Sequence, residues 1–183
     1  TTADVALLFS WESWWAADAE PRPSEDVRYL EQVHAAYNAL RAAGVTVDIV
    51  APGASLEGYR LAVVPSLHIL DDPDSAAITD FVAAGGHAFV TFFTGIVDGN
   101  DRVGLGGYPS RLRDMLGLKV EEFAPVLSGT VLTLDSGSTA RIWSERVTVT
   151  GADVLDTFAD GPAAGGAALH AEDGAQGGFA QSE

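Results

Sequence analysis

The sequence predicts an α/β domain in which a mainly parallel sheet is covered by helices on both faces. Short apolar runs alternate with amphipathic segments over about the first 123 residues, and glycine and proline mark their boundaries. Such an alternation is typical of parallel sheets, because parallel strands need crossover connections that place helices on the sheet. From residue 126 onward, short strand-like runs are separated by turn residues, which predicts antiparallel strands added to the sheet edge or packed beside it.

The strands of the predicted parallel sheet are runs of aliphatic and β-branched residues, and they are too short for helices. They cover residues 5–10, 45–50, 61–65, 87–93 and 118–123.

Three helices are predicted between these strands. Ser24 is a good N-cap for a helix over 25–43, whose apolar residues recur every three to four positions. A second helix begins at Asp72-Pro73 and ends at Gly85-Gly86, and a short third helix runs from Pro109 to Met115.

The C-terminal part is expected to hold four short strands and a tail. The strands are Val131 to Leu134, Ala140 to Trp143, Val147 to Val149 and Val154 to Phe158. Residues 161–183 are rich in glycine and alanine, so we expect a poorly ordered tail that follows a domain over 1–160.

Composition excludes several classes of function. Lysine and arginine number 10 and aspartate and glutamate 26, a net charge of −16, which opposes nucleic-acid and anionic-membrane partners. The absence of cysteine excludes disulfides, thiolate metal sites and cysteine nucleophiles. The chain begins at Thr1 without an apparent signal peptide or membrane span, so we expect a segment excised from a longer, cytoplasmic polypeptide.

Three of the four tryptophans, Trp11, Trp14 and Trp15, directly follow the first predicted strand. Strand ends of open α/β sheets face crevices and surfaces, and tryptophan is enriched at binding hot spots. The alternative is that the three indoles fill the core. Phe92, Phe93 and the loop over 94–101 follow another strand, so both groups are expected at the same edge of the sheet.

No motif for hydrolysis, nucleotide binding or metal binding is complete. The chain has no G-x-S-x-G elbow, and Ser66 and His68 are interpreted as part of a solvated loop rather than as a catalytic pair. Asp98 and Asp101 belong to a fragment that resembles a calcium loop but lacks its remaining ligands. We therefore predict no metal and no cofactor.

Glu12 has two interpretations. Beside the tryptophans its carboxylate suits sugar binding or catalysis, but it also suits an ion pair with Arg22 or Arg102.

Several motifs together resemble the middle domain, called the trimerisation domain, of glycoside hydrolase family 42 beta-galactosidases. In chain order they are Trp11-Glu12-Ser13-Trp14-Trp15-Ala16, Arg22-Pro23-Ser24, Arg28-Tyr29-Leu30, Tyr37-Asn38-Ala39-Leu40, Gly44-Val45-Thr46-Val47-Asp48, Gly58-Tyr59-Arg60-Leu61, Thr91-Phe92-Phe93-Thr94-Gly95-Ile96-Val97-Asp98, Asn100-Asp101, Gly106-Gly107-Tyr108-Pro109 and Leu116-Gly117. The resemblance covers roughly residues 4–160. Ser10 and Ser13 stand where the family commonly has Asp and Asn.

The resemblance implies a flavodoxin-like three-layer sandwich, similar to class I glutamine amidotransferases but without their nucleophile. It also implies that the catalytic glutamates belong to a separate (β/α)8 barrel, which needs about 250 residues. This domain would then be non-catalytic, assemble the trimer, contact that barrel and meet the galactoside only indirectly. The interface or substrate-rim candidates are Trp11, Glu12, Trp14, Trp15, Phe92, Phe93, Asp98 and Asp101. A free-standing carbohydrate-binding or enzymatic domain that uses Trp11–Trp15 and Glu12 stays the alternative.

Overall fold

A four-stranded parallel sheet forms the centre of the domain. The computed structural model describes residues 3–19, 24–165 and 167–169. The strands are β1 (Val5–Leu8), β2 (Val47–Val50), β3 (Leu61–Val64) and β4 (His87–Val90), in the order β2-β1-β3-β4. All three pairings are parallel, as predicted.

Four helices accompany the sheet, namely α1 (Trp11–Asp18), α2 (Tyr29–Ala42), α3 (Asp72–Ala83) and α4 (Arg113–Leu116). Alternate residues of β1 enter different core clusters. Leu8 packs with residues of α3 and α4, whereas Leu7 packs with residues of α2 and with Ala17 of α1. Because side chains of a strand point alternately to the two faces of a sheet, helices cover both faces.

Among the described residues after 117, three two-stranded antiparallel sheets lie beside the parallel sheet. They pair β5 (Leu118–Pro125) with β8 (Trp143–Val149), β6 (Leu132–Thr133) with β7 (Thr139–Ala140), and β9 (Val154–Thr157) with β10 (Ala167–Leu169).

The prediction that residues 118–123 extend the parallel sheet is wrong, because β5 pairs antiparallel with β8. Leu118 and Val120 are buried while Glu121 and Glu122 are exposed, so this strand has a solvated side. Strands of a parallel sheet are usually buried on both faces, whereas an antiparallel pair tolerates water on one. The two strands predicted at 140–143 and 147–149 are also corrected: 147–149 is the end of β8, whereas of 140–143 only Trp143 belongs to β8 and Ala140 belongs to β7.

The predicted start of the second helix, α2, also changes. The helix predicted over 25–43 begins at Tyr29, and its N-cap is Arg28, which makes no side-chain capping bond. Ser24 instead accepts the N–H of Asp26 at 3.2 Å in the preceding turn. Val27 is buried and anchors this turn, which keeps the segment before Tyr29 out of the helix.

Part of the predicted tail 161–183 is described. Residues 161–165 form turns and 167–169 form β10, whereas residue 166 and residues 170–183 lie outside the described residues. Among the helices that the structure describes, none has both the length and the apolar character needed to cross a membrane.

Candidate functional site

The tryptophan segment forms the helix α1, which the sequence analysis did not predict. Ser10 follows β1 in an extended conformation and caps α1, since its Oγ accepts the N–H of Ser13 at 3.0 Å. The N–H of Ser10 donates to the buried Tyr29 hydroxyl at 3.0 Å, which joins α1 to α2. Apolar residues on more than one side of α1 obscure its helical periodicity, and Ser10 is the signal that could have found it.

Ser13 attaches α1 to the carboxyl end of the sheet. Its side chain is fully buried, and its Oγ accepts the N–H of Ile69 at 3.0 Å. Ile69 in turn pairs with Val97 through a parallel bridge. Helix α1, the segment after β3 and the loop after β4 therefore meet at the carboxyl edge of the parallel sheet, as predicted.

The three tryptophans of α1 have different environments. Trp14 is partly buried, packs with Phe92 and Phe93 in one core cluster, and donates from Nε1 to Asp18 Oδ2 at 2.9 Å. Trp11 is 55% and Trp15 64% exposed. The alternative in which all three indoles fill the core is therefore wrong, because two of them point to solvent.

Glu12 is exposed beside these indoles. Its Oε2 accepts a hydrogen bond from Ser10 Oγ at 3.1 Å. In the part of the chain that the structure describes, Glu12 forms no ion pair with Arg102, and Arg22 lies outside that part. The carboxylate thus faces solvent next to an aromatic surface.

The prediction that Phe92 and Phe93 belong to an interface or a substrate rim needs correction, because both side chains are buried within this domain. Phe92 stacks on Trp143 with ring centroids 5.7 Å apart, and Phe93 meets the same indole edge-on at 5.5 Å. Phe93 has a φ of +61°, a conformation that few non-glycine residues adopt without surrounding support. These rings support the surface rather than form it.

Asp98 and Asp101 shape the loop after β4. Asp98 Oδ1 accepts the N–H groups of Asn100 at 2.9 Å and Arg102 at 3.0 Å. The bonds from Arg102 and Asn100 hold the pKa of the Asp98 carboxyl below its usual value. Asp101 is exposed with a φ of +59°. The residues that the structure describes contain no group of three or more side chains placed to hold a metal ion.

The interpretation of residues 66–68 as a solvated loop is wrong. Ser66 is 1% and His68 9% exposed, because this segment lies beneath the edge of the sheet. Ser66 has a φ of +46°, and its N–H donates to Thr91 Oγ1 at 2.8 Å. The Ser66 hydroxyl contacts Thr91 Oγ1 at 3.4 Å, whereas the ring of His68 stacks on that of Phe93. Burial lowers the pKa of His68, whose Nδ1 has no hydrogen-bond partner among the described residues.

A part-buried acidic network formed by Glu145, Tyr108 and Trp143 was missed. Glu145 Oε1 accepts hydrogen bonds from Trp143 Nε1 at 2.7 Å and from the Tyr108 hydroxyl. Burial raises the pKa of the Glu145 carboxyl. The sequence gives little sign of this network, because residues 108 and 145 are distant in the chain. Glu145 also stands among other polar residues of its strand, so nothing marks it as special.

Replacement of Ser10 by alanine is expected to lower the free energy of unfolding by about 0.5–2 kcal/mol, because α1 loses its N-cap. Denaturant unfolding monitored by tryptophan fluorescence measures this loss. Ser24→Ala is the matched control, since Ser24 caps no helix, and it is expected to change stability by less than about 0.5 kcal/mol. Equal losses in the two variants would contradict the capping role of Ser10.

The fold and this edge define a class of protein: an α/β domain that presents an exposed aromatic helix at the carboxyl ends of its parallel strands. The chain belongs to the family described as the beta-galactosidase trimerisation domain, which matches residues 3–179.

Relatives and solved structures agree with this assignment. A beta-galactosidase of Arthrobacter sp is 44% identical over 161 residues, which cover 88% of this chain and 23% of the relative. The crystal structure of a beta-galactosidase from Bacillus circulans sp. alkalophilus has a TM-score of 0.91 and 29% identity, and covers 98% of this chain and 28% of its own. The chain therefore spans about a quarter of the length of these proteins.

A beta-galactosidase chain from Bifidobacterium adolescentis has a similar length to this one. It is 33% identical with a TM-score of 0.64, and the match covers 100% of this chain and 94% of that chain.

Proposed function

We propose that this chain assembles a parent beta-galactosidase into a trimer and has no glycosidase activity of its own. The observation that carries the proposal is the exposure of Trp11 and Trp15 on a helix that Ser10 and Ser13 fix firmly to the sheet. Large indoles held rigidly in solvent are typical of protein contacts, because tryptophan provides much apolar area at little entropic cost. Membership of the trimerisation family supports the same role.

The fold proposed for this domain is flavodoxin-like, similar to class I glutamine amidotransferases. The strand order β2-β1-β3-β4 corresponds to the first four strands of the flavodoxin-like order. The turn after β3 contains Ser66, which has a positive φ. Ser66 is buried and bonded to Thr91, so the turn offers no nucleophile to a substrate.

The edge that carries α1 is proposed to help enclose the active site of a separate barrel domain in the assembled parent. The exposed side chains Trp11, Glu12 and Trp15 suit the subunit contact or substrate rim, with Trp14, Phe92 and Phe93 as their support. Asp98 and Asp101 shape the neighbouring loop. The galactoside is then contacted only indirectly. A cytoplasmic parent fits a sequence without cysteine.

The isolated chain is expected to show no turnover of a chromogenic galactoside. Retaining hydrolysis needs two carboxyl groups about 5–5.5 Å apart across a sugar site. Here the carboxylate beside the indoles, Glu12, is hydrogen-bonded by Ser10 rather than paired with a second acid. Initial rates with the chain, the full-length parent and a buffer blank measure this directly. Turnover by the isolated chain that disappears in Glu12→Gln would overturn the proposal.

Assembly needs a separate measurement on the parent enzyme. Sedimentation velocity of the full-length protein is expected to show a trimer, and a variant that lacks residues 3–165 is expected to lose it. A trimer that persists without this segment would move the assembly role to another part of the parent.

A further inference from the structure

The exposed indoles of α1 form one continuous surface, here called the tryptophan face and defined by Trp11 and Trp15. The two residues are one helical turn apart, with ring centroids 6.5 Å apart. Phe9 meets Trp11 edge-on at 5.1 Å, and Trp14 lies 5.5 Å from Trp11. The face is therefore supported from beneath, and no described residue covers it.

The surroundings of the tryptophan face are acidic. Helix α1 carries two carboxylates, Glu12 and Asp18, and no lysine or arginine. Glu12 lies between the two indoles in sequence and is exposed, with Ser10 fixing one of its oxygens. Indole faces beside a carboxylate attract a guanidinium group, which can stack on the rings and bond the acid at once.

The charge of this chain argues against two possible partners for the tryptophan face, namely a second copy of the domain and the segment 170–183. A second copy of the same domain brings another net charge of −16, so direct docking of one acidic domain on another is repulsive. The segment 170–183 contains Glu172, Asp173 and Glu183 but no lysine or arginine. These charges favour a complementary group from the part of the parent polypeptide that this chain does not include, about three quarters of the length of its relatives.

We propose that the tryptophan face receives an arginine-bearing, basic segment of a neighbouring subunit, taken from outside this domain. The guanidinium stacks on Trp11 and Trp15 and pairs with Glu12. This inference rests on the proposed assembly function and adds the surface and the chemistry of the partner.

The test uses the full-length parent enzyme and measures trimer dissociation by sedimentation and light scattering at about 0.05 M and about 0.5 M NaCl. The double variant Trp11→Ala/Trp15→Ala is expected to weaken assembly by about 30-fold or more, as for a hot spot of about 2 kcal/mol. Glu12→Gln is expected to weaken assembly several-fold at low salt and to reduce its salt dependence, because a charge pair is lost. Leu105→Ala is the matched control, since Leu105 is an apolar side chain outside α1 that is 93% exposed, and it should leave assembly unchanged.

Three results would overturn the inference. The first is a double variant that assembles like the wild type. The second is an Arg22→Gln variant that alone weakens assembly as much as the double variant does, because an arginine of this domain would then be the group bound to the tryptophan face. The third is quenching of the wild-type tryptophan fluorescence by lactose that the double variant abolishes while assembly is unchanged, which would make the face a sugar site. A monomeric wild-type parent would instead refute the proposed assembly function itself.

Discussion

Replacing Trp143 by alanine is expected to lower the free energy of unfolding by about 3–5 kcal/mol. Trp143 is 3% exposed, and its indole contacts Phe92, Phe93 and Phe123, with centroid distances of 5.3 to 5.7 Å. The side chain lies where the ribbon of β5 and β8 packs against the end of the parallel sheet. Its removal leaves a cavity between the two parts and removes a hydrogen bond to Glu145.

Two control variants separate the causes of this loss. Trp143→Phe keeps most of the ring volume but leaves Glu145 without the indole donor, so we expect a smaller loss of about 1–3 kcal/mol. Trp15→Ala removes an equally large but 64% exposed side chain and is expected to change the stability of the isolated domain by less than about 0.5 kcal/mol. Urea unfolding of the three variants gives the comparison. A Trp143→Ala protein as stable as Trp15→Ala would contradict the packing role of Trp143.

The parallel sheet could be predicted because its signals are local. Apolar runs as short as Val5–Leu8 and Leu61–Val64 indicate strands, and their alternation with amphipathic segments indicates a parallel sheet. The pairing of β5 could not be predicted in the same way. Its apolar pattern indicates a strand, but the partner is chosen by contacts with β8, whose paired residues lie 18 to 31 positions further along the chain.

The candidate site was only partly predictable for the same physical reason. The cluster of Trp11, Trp14 and Trp15 is visible in the sequence, and so is its place after a strand. Which indoles reach solvent depends on the helix that Ser10 begins and on the contact of Ser13 with Ile69. The environment of Glu145 depends on a tyrosine 37 residues away, and no local pattern reports such a contact.

The stability of the wild-type domain is expected to fall relative to that of Glu145→Gln as the pH rises above about 4.5, the ordinary value for glutamate. Burial raises the pKa of Glu145 in the folded state, so the folded protein keeps the proton over a pH range in which the unfolded chain has lost it. Wherever the folded state binds more protons, stability decreases with rising pH, by about 1.4 kcal/mol for each unit of pKa elevation. Glutamine does not titrate, yet its Oε1 can still accept the bonds that Trp143 and Tyr108 donate to Glu145 Oε1.

Urea unfolding of both proteins between about pH 4 and about pH 7.5 measures this difference. Glu121→Gln is the matched control on the neighbouring strand, because a hydrogen bond from Lys119 lowers the pKa of the exposed Glu121. The sign therefore reverses: the folded-state pKa lies below the unfolded value, so Glu121 contributes stability at neutral pH that is lost as the pH falls below about 4.5. A difference between wild type and Glu145→Gln that stays constant over the whole range would show that folding does not desolvate the Glu145 carboxyl, and the acidic network would then be an ordinary surface contact.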